Sequence, residues 1–237
     1  MASFEQDGDS RAGRLADLPE LRDRAGVFAD RAEAGRVLAG MLEGYRGGDA
    51  LVLAVPAGGV PVAAALAAEL GLELDVAIVS KITPSWQTEI GYGAVAFNGT
   101  VRLNRPMMAR LGIDEDEERA GIERTQEKVR RRVRELRGDR PLPDVSGRTV
   151  LLVDDGLASG FTMLVAAEAV RAAGAAQVVV AAPTAHADTL DRVAGAADRV
   201  YIANLRGGGR FAVAEAYRNW YDVSLEEVQR LLAGTGT

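Results

Sequence analysis

The chain contains no cysteine and one histidine among its 237 residues. The absence of cysteine excludes disulfides, catalytic thiolates and cysteine-ligated zinc. It also fits a reducing compartment, so we expect a cytoplasmic location. The one histidine, His186, follows a predicted strand in the segment PTAHAD, and we expect it to be a surface-loop residue rather than a catalytic base.

The sequence also lacks a membrane-spanning run and an excess of positive charge. Its first residues have no apolar stretch of the signal-peptide type. The most apolar segment, residues 50–72, is interrupted by prolines and glycines, which disfavours a membrane span. A formal net charge of −6 argues against a general nucleic-acid binder, because such a protein needs a basic surface. We therefore expect neither a membrane partner nor a nucleic-acid partner.

Lysine is scarce in this chain. Of its 28 basic residues, only Lys81 and Lys128 are lysines, which makes Lys81 a candidate functional residue. The remaining positive charge is densest at residues 130–137, in the second half of a predicted helix whose first half contains the acidic segment 114–118. This polarity suits the helix dipole. We expect the basic run to be the exposed end of that helix, with a dimer contact or an RNA-facing surface as the alternatives.

Short apolar segments alternate with helical patterns along the chain. This alternation predicts an α/β fold with a mostly parallel, doubly wound sheet of five strands and helices on both faces. The predicted strands are residues 51–55, 74–79, 149–153, 177–182 and 199–203. The predicted helices are residues 30–45, the alanine-rich segment up to residue 70, and residues 106–137, 162–173, 188–194 and 224–233. The dipeptide Asn98-Gly99 predicts a hairpin between residues 94–97 and 100–103.

An acidic pair directly follows the predicted strand at 149–153. Asp154 and Asp155 precede a loop of small residues that enters a helix. Ligands of open parallel sheets lie beyond the carboxyl ends of the strands, and backbone N–H groups at a helix N-terminus suit a phosphate, here with Ser159 and Thr162 as hydroxyl donors. Two carboxylates would repel an anion unless a ribose diol or Mg²⁺ offsets their charge. The segment therefore points to a phosphorylated sugar.

Other phosphate-site interpretations do not fit the sequence. Receiver domains of response regulators also carry an aspartate pair, but they need a lysine on a later strand, and no lysine follows Lys128. The glycines at 207–209 lack the strand–glycine–helix order of a dinucleotide loop. The P-loop pattern GxxxxGK[ST] is absent.

Residues 150–162, VLLVDDGLASGFT, resemble the ribose-5-phosphate-binding signature of type I phosphoribosyltransferases. Four more segments resemble a group of predicted phosphoribosyltransferases of unassigned substrate: VPAGGVPVAAALA, LDVAIVSK, EIGYGAVAFNG and FAVAEAYRNWYDVSLEEV. The resemblance covers residues 28–233 and implies a core sheet with a smaller hood over the active site. We expect a single domain over residues 1–237, with its core at 48–104 and 146–205. The hood would comprise residues 28–47, 105–145 and 206–237, and the polar residues 1–26 would be loosely ordered.

The resemblance also implies roles for individual residues. Asp154 and Asp155 hold the ribose hydroxyls, directly or through Mg²⁺. The 5-phosphate is bound by the loop Ala158, Ser159, Gly160, Phe161 and Thr162. The diphosphate is met by backbone N–H groups of Ala57, Gly58 and Gly59. Lys81 lies where the family often has a cation facing the diphosphate, and residues 82–93 form a loop that closes during catalysis.

Three positions depart from the family pattern. Many relatives have arginine where this chain has Ala57 and Ser80, so positive charge is missing from the leaving-group side. Phe161 is bulky where a small residue is common, which predicts a tighter or differently shaped phosphate loop.

The resemblance implies a transferase that takes 5-phosphoribosyl-1-diphosphate with Mg²⁺ and passes phosphoribose to a nitrogenous acceptor of unknown identity. The aromatic residues that would stack on such an acceptor also suit ordinary packing: Trp86, Phe211, Tyr217, Trp220 and Tyr221. The alternative is a non-catalytic regulatory protein that binds phosphoribosyl diphosphate or a nucleotide, as some members of the superfamily do. In either case we expect a homodimer.

Overall fold

The computed structural model describes residues 14–138 and 140–234. The main sheet has six parallel strands: β1 (Leu15–Asp17), β2 (Leu51–Ala54), β3 (Glu73–Val76), β7 (Thr149–Val153), β8 (Gln177–His186) and β9 (Arg199–Arg206). Their order in the sheet is β1–β9–β8–β7–β2–β3. All four residues of β2 are buried, because helices cover both faces of the sheet. The doubly wound α/β fold predicted from the sequence is confirmed.

Strand β1 is the sixth strand, which the sequence does not predict. The polar composition of residues 1–26 favours loose order, but Leu15 pairs with Val200 and the strand extends the sheet beyond β9. Three residues, none of them fully buried, are too few to show an apolar pattern. The remainder of that prediction, residues 1–13, lies outside the described residues.

A second, antiparallel sheet contains β4 (Val79–Ile82), β5 (Gly93–Ala96) and β6 (Val101–Leu103), in that order. The hairpin predicted at Asn98-Gly99 is present between β5 and β6, and Gly99 has a φ of 87°. The predicted strand at 74–79 is in fact two strands, because the chain leaves the main sheet after Val76. Lys81 therefore lies in the small sheet rather than at the end of a core strand.

Seven α-helices are found among the described residues: α1 (Arg31–Met41), α2 (Gly59–Leu70), α3 (Arg105–Leu111), α4 (Glu115–Arg137), α5 (Phe161–Ala172), α6 (Ala187–Ala194) and α7 (Leu225–Ala233). Helices α1, α2 and α7 contribute to the apolar cluster on one side of the main sheet, and α5 and α6 to that on the other. Helix α1, which the sequence assigns to the hood, contacts α2 and strands β8 and β9. None of the described helices is both long and apolar enough to cross a membrane.

The segment predicted as one helix over 106–137 is divided at Gly112. This residue has a φ of 67° and ends α3, since a left-handed conformation cannot continue a right-handed helix. Helix α4 then runs along the small sheet and contacts β4 and β5. Its last residue, Arg137, is buried and donates two hydrogen bonds to Asp75 of β3, at 2.8 and 2.6 Å. This ion pair fixes the basic end of α4 to the main sheet.

Candidate functional site

The acidic pair Asp154–Asp155 lies where β7 ends, at the carboxyl edge of the main sheet. The backbone N–H of Asp155 donates to Oδ1 of Asp154 at 2.8 Å. Burial raises the pKa of Asp154 well above its usual range, and the neighbouring charge of Asp155 raises it further. Burial also raises the pKa of Asp155. Two adjacent carboxyl groups in this environment favour a ligand that supplies hydroxyl donors or positive charge.

Arg31, the first residue of α1, is the cation that faces the pair. Its Nε lies 2.9 Å from Oδ2 of Asp155, and this ion pair lowers the pKa of Asp155 against the effect of burial. The same guanidinium donates to the backbone oxygen of Tyr221 at 2.9 Å. The side chain of Arg31 is 4% exposed, so it is committed to these contacts and positions Asp155.

Two of the aromatic residues singled out in the sequence complete this arrangement. The ring of Trp220 lies 3.9 Å from the guanidinium carbon of Arg31, a cation–π geometry. The hydroxyl of Tyr217 donates to the backbone oxygen of Asp155 at 2.6 Å. These rings therefore support the acidic pair, which accounts for their position without an acceptor.

The other aromatic candidates do not contact the pair. The ring of Tyr221 lies 5.5 Å from the guanidinium carbon of Arg31, and its hydroxyl donates to Glu227. Trp86 is 61% exposed in the segment after β4. Phe211 packs against His186 with ring centroids 5.9 Å apart. The Nδ1 of that histidine accepts the backbone N–H of Asp188 and caps α6. His186 therefore has a structural role at the start of this helix.

The loop 156–160 joins the acidic pair to the N-terminus of α5. Among the described residues, nothing accepts the backbone N–H groups of Ala158, Ser159, Gly160 and Thr162. The N–H of Phe161 donates to Oγ of Ser159 at 3.4 Å. Unpaired N–H groups at the positive end of a helix form an anion site. The ring of Phe161 packs against the small cluster formed with β5, so the packing accommodates its bulk.

Helix α6 holds this loop in place from outside. Oγ1 of Thr189 donates to the carbonyl oxygen of Ala158 at 2.7 Å, and the guanidinium of Arg192 donates to the carbonyl oxygen of Ser159. Gly160 has a φ of 66°, and a Cβ there would overlap the methyl group of Thr189. Only glycine fits both the conformation and the space. Arg192 also places a positive charge beside the loop.

The turn of residues 56–59 packs directly on the acidic pair. A Cβ at Gly58 would overlap Oδ2 of Asp155, and one at Gly59 would lie 2.7 Å from the carbonyl oxygen of Val153. The peptide bond between Pro56 and Ala57 is cis. The N–H of Gly59 donates to Val55 at 3.1 Å, whereas nothing among the described residues accepts those of Ala57 and Gly58. Two of the three predicted donors therefore remain available to a ligand.

Lys81 lies near the start of this turn, on β4. It is exposed and lines a cavity of about 420 Å³ that also includes Pro56. In the predicted mobile segment, Ser85 is tied to α4: its N–H and hydroxyl donate to the carboxylate of Glu117 at 2.9 and 3.2 Å. The structure thus brings the acidic pair, the loop 156–162 and the turn 56–59 together at one edge, with Lys81 beside the turn.

A larger cavity of about 930 Å³ lies elsewhere, between α1, α2 and the C-terminal segment. Arg31 and Trp220 line it, but Asp154 and Asp155 do not. Since Arg31 directs its Nε at Asp155, it separates this cavity from the pair. We therefore place the candidate site at the acidic pair.

Sequence reasoning missed Arg31, Thr189 and Arg192. None of them belongs to a motif, and each acts on a residue far away in sequence: Arg31 and Asp155 are 124 residues apart. The unusual burial of Arg31 is visible only once the fold is known.

The carboxyl groups of the acidic pair suit a hard cation that binds together with the ligand. Among the described residues, no three histidine or acidic side chains are grouped to hold a metal by themselves. The two adjacent carboxyl groups of Asp154 and Asp155, whose pKa values are raised, offer oxygen atoms of the kind that Mg²⁺ prefers. Mg²⁺ is commonly bound by one or two carboxylates together with substrate phosphates, so this pair fits it.

Comparison with known proteins identifies the family of this chain. Residues 29–203 match the phosphoribosyl transferase domain. Proteins from two Mycobacterium tuberculosis strains, provisionally named phosphoribosyl transferases, are 37% identical over 207 residues, which is 87% of this chain and 46% of theirs. The chain thus spans less than half the length of these relatives. The crystal structure of TT1426 from Thermus thermophilus is 33% identical, with a TM-score of 0.72 and coverage of 89% of this chain and 99% of that one. This chain belongs to the phosphoribosyl transferase domain family.

Proposed function

We propose that the protein binds 5-phosphoribosyl-1-diphosphate with Mg²⁺ and transfers phosphoribose to a nitrogenous acceptor, which a nucleobase would satisfy. The observation that carries the proposal is the acidic pair beside unpaired N–H groups at the start of α5. The carboxylates accept hydrogen bonds from the two ribose hydroxyls. The N–H groups of Ala158, Ser159, Gly160 and Thr162 hold the 5-phosphate, with the hydroxyls of Ser159 and Thr162 beside them.

In the reaction, the lone pair of the acceptor nitrogen forms the bond to ribose C1. The bond from C1 to the diphosphate oxygen breaks, its electron pair leaves with diphosphate, and the acceptor nitrogen gives up its proton to the departing diphosphate. Positive charge builds up on the sugar in the transition state, and negative charge on the leaving group. Asp154 and Asp155 face the sugar, and the N–H groups of Ala57 and Gly58 face the leaving group. When bound, Mg²⁺ neutralises charge on the diphosphate.

Lys81 has the role of assisting the departure of diphosphate in this proposal. Its support is the position beside Pro56, at the start of the turn. In Lys81→Ala we expect diphosphate release to slow at least tenfold, with unchanged affinity for ribose 5-phosphate. Full activity in that variant would exclude the role.

The test of the proposal is calorimetry with phosphoribosyl diphosphate, with and without Mg²⁺. The affinity should fall at least tenfold in Asp154→Asn/Asp155→Asn. The matched control Glu115→Gln/Asp116→Asn makes the same charge change in the exposed first turn of α4 and should bind as the unmodified protein does. Undiminished binding by the first variant would refute the proposal.

A screen of nucleobases and small amines for diphosphate release then separates the two functions. A non-catalytic binding protein is the second candidate, and the uncharged side chains of Ala57 and Ser80 on the leaving-group side favour it. Binding without release across the screen would select this alternative. A homodimer in the cytoplasm is part of the proposal, and sedimentation analysis tests the dimer.

A further inference from the structure

The basic residues near the end of α4 differ in what they contact. Arg137 is buried against Asp75. Three others form exposed ion pairs with glutamates of the same helix: Arg130 and Arg134 with Glu127, and Arg131 with Glu135. The cations left over are Lys128 and Arg132. They are four residues apart, so they lie on the same face of the helix.

This face lines the cavity of about 420 Å³ that contains Lys81 and Pro56. The cavity therefore brings together both lysines of the chain and one arginine. Within the part of the chain that the structure describes, none of these three cations forms an ion pair or a side-chain hydrogen bond. The other lining residues include the hydroxyl-bearing Ser80, Thr83 and Thr88, and none of the lining residues that the structure describes carries a carboxylate.

Three unpaired cations with hydroxyl groups and no acid form an environment for an anion of several charges. Positive groups that repel one another are kept together only at a cost, which a bound anion relieves. Pro56 lines the cavity, and the next two residues, Ala57 and Gly58, carry the unpaired N–H groups of the turn. The cavity therefore borders the turn that packs on the acidic pair.

We propose that Lys128 and Arg132 of α4 complete, with Lys81, the subsite for the diphosphate group. This inference rests on the proposed function, since it assigns the charged end of that substrate. It gives a specific role to Arg132 of the basic run and to Lys128, one helical turn before it: together they supply positive charge near a turn whose own residues are uncharged. Both residues bind the leaving group and do not touch the ribose.

The test is calorimetry with inorganic diphosphate as the probe, and with ribose 5-phosphate as a second probe for the other half of the site. In Lys128→Gln/Arg132→Gln we expect the Kd for diphosphate to rise at least tenfold, with the Kd for ribose 5-phosphate unchanged. The control Arg130→Gln/Arg134→Gln removes the same charge from the ion-paired face of α4 and should change the Kd for diphosphate less than twofold. The charge-conserving variant Lys128→Arg/Arg132→Lys should retain binding.

An unchanged Kd for diphosphate in the first variant, or an equal rise in the control, would overturn the inference. If phosphoribosyl diphosphate binds the unmodified protein and the first variant equally well, the proposed function stands and the subsite fails. If the unmodified protein binds inorganic diphosphate through Lys128 and Arg132 but does not bind phosphoribosyl diphosphate, the anion site stands and the proposed function fails.

Discussion

Replacement of Arg31 tests how the acidic pair is held. Arg31→Met keeps an unbranched apolar stem and removes the charge, so the carboxylate of Asp155 loses its partner at 2.9 Å. Removing one partner of a buried ion pair costs about 3–5 kcal/mol. Because Asp155 is 15% exposed, we expect a loss of about 3 kcal/mol in the free energy of unfolding, the lower end of that range.

The loss of unfolding free energy in Arg31→Met should increase as the pH rises. The pKa of Asp155 is raised in the folded protein by burial, whereas the pKa of the carboxyl in the unfolded chain is about 4. A group with a raised folded pKa destabilises the fold as pH rises through that pKa. Since Arg31 lowers the pKa of Asp155, its removal raises that pKa further. The stability difference should be smallest at acidic pH, where more of the folded carboxyl is protonated, and should grow as the pH rises and the carboxyl ionises.

Urea unfolding without added metal, followed by tryptophan fluorescence, measures this difference because Trp220 stacks on Arg31. Arg36→Met is the matched control, since Arg36 is an exposed residue of the same helix. In an Asp155→Asn background the cost of Arg31→Met should fall by at least half. Equal losses for the two arginine variants, or a loss independent of pH, would refute the reasoning.

Three further substitutions test the packing around the site. In Gly58→Ala, the added methyl group overlaps the carboxylate of Asp155, so calorimetry should show at least tenfold weaker binding of phosphoribosyl diphosphate. Gly160→Ala imposes a left-handed conformation on alanine, which costs about 1–2 kcal/mol; it should lower the free energy of unfolding in urea by at least that and weaken ribose 5-phosphate binding. Arg137→Met leaves Asp75 buried without its partner and should lower the free energy of unfolding by about 3–5 kcal/mol.

Gly40→Ala is the control for the two glycine substitutions, and Arg134→Met is the control for Arg137→Met. Gly40→Ala places a methyl group in open space on α1, so it should leave binding unchanged and stabilise the helix by up to about 1 kcal/mol. Arg134→Met removes an exposed charge from α4 and should change stability by less than about 0.5 kcal/mol. If Gly58→Ala or Gly160→Ala binds its ligand as well as Gly40→Ala does, the assigned site is wrong. A loss in Arg137→Met no larger than in Arg134→Met would contradict the role of the buried pair.

The sequence predicts those parts of the fold in which local pattern and burial coincide. Strands β2 and β7 are short apolar runs buried on both faces, and their predicted positions are confirmed to within a residue. The hairpin at Asn98-Gly99 follows from turn chemistry alone. Strand β1 could not be predicted, because its hydrogen bonds to β9 hold it in place and its own side chains remain partly exposed. The break at Val76 depends on pairing between β4 and β5, which no local signal in residues 74–79 reveals.

The candidate site likewise has parts that the local sequence predicts and parts that depend on contacts between distant segments. Asp154, Asp155 and the loop after them form one contiguous segment, so their chemistry is readable from the sequence. The contacts of Arg31 with Asp155 and with Tyr221 join segments that have no shared pattern. The basic run is readable as a charged helix end, but which of its residues are already paired depends on the position of each side chain around the helix.

The two hydrogen bonds of Arg31, to Asp155 and to Tyr221, determine when the site can form during synthesis on the ribosome. The acidic pair and the phosphate loop are complete once residue 162 has been synthesised. The guanidinium that holds Asp155, however, donates its second hydrogen bond to Tyr221, 190 residues beyond Arg31. A nascent chain therefore contains the acidic pair and the phosphate loop before Arg31 can form both of its hydrogen bonds. A chain cut before residue 217 would keep each residue of the acidic pair and the phosphate loop, yet leave Arg31 without its aromatic and backbone partners.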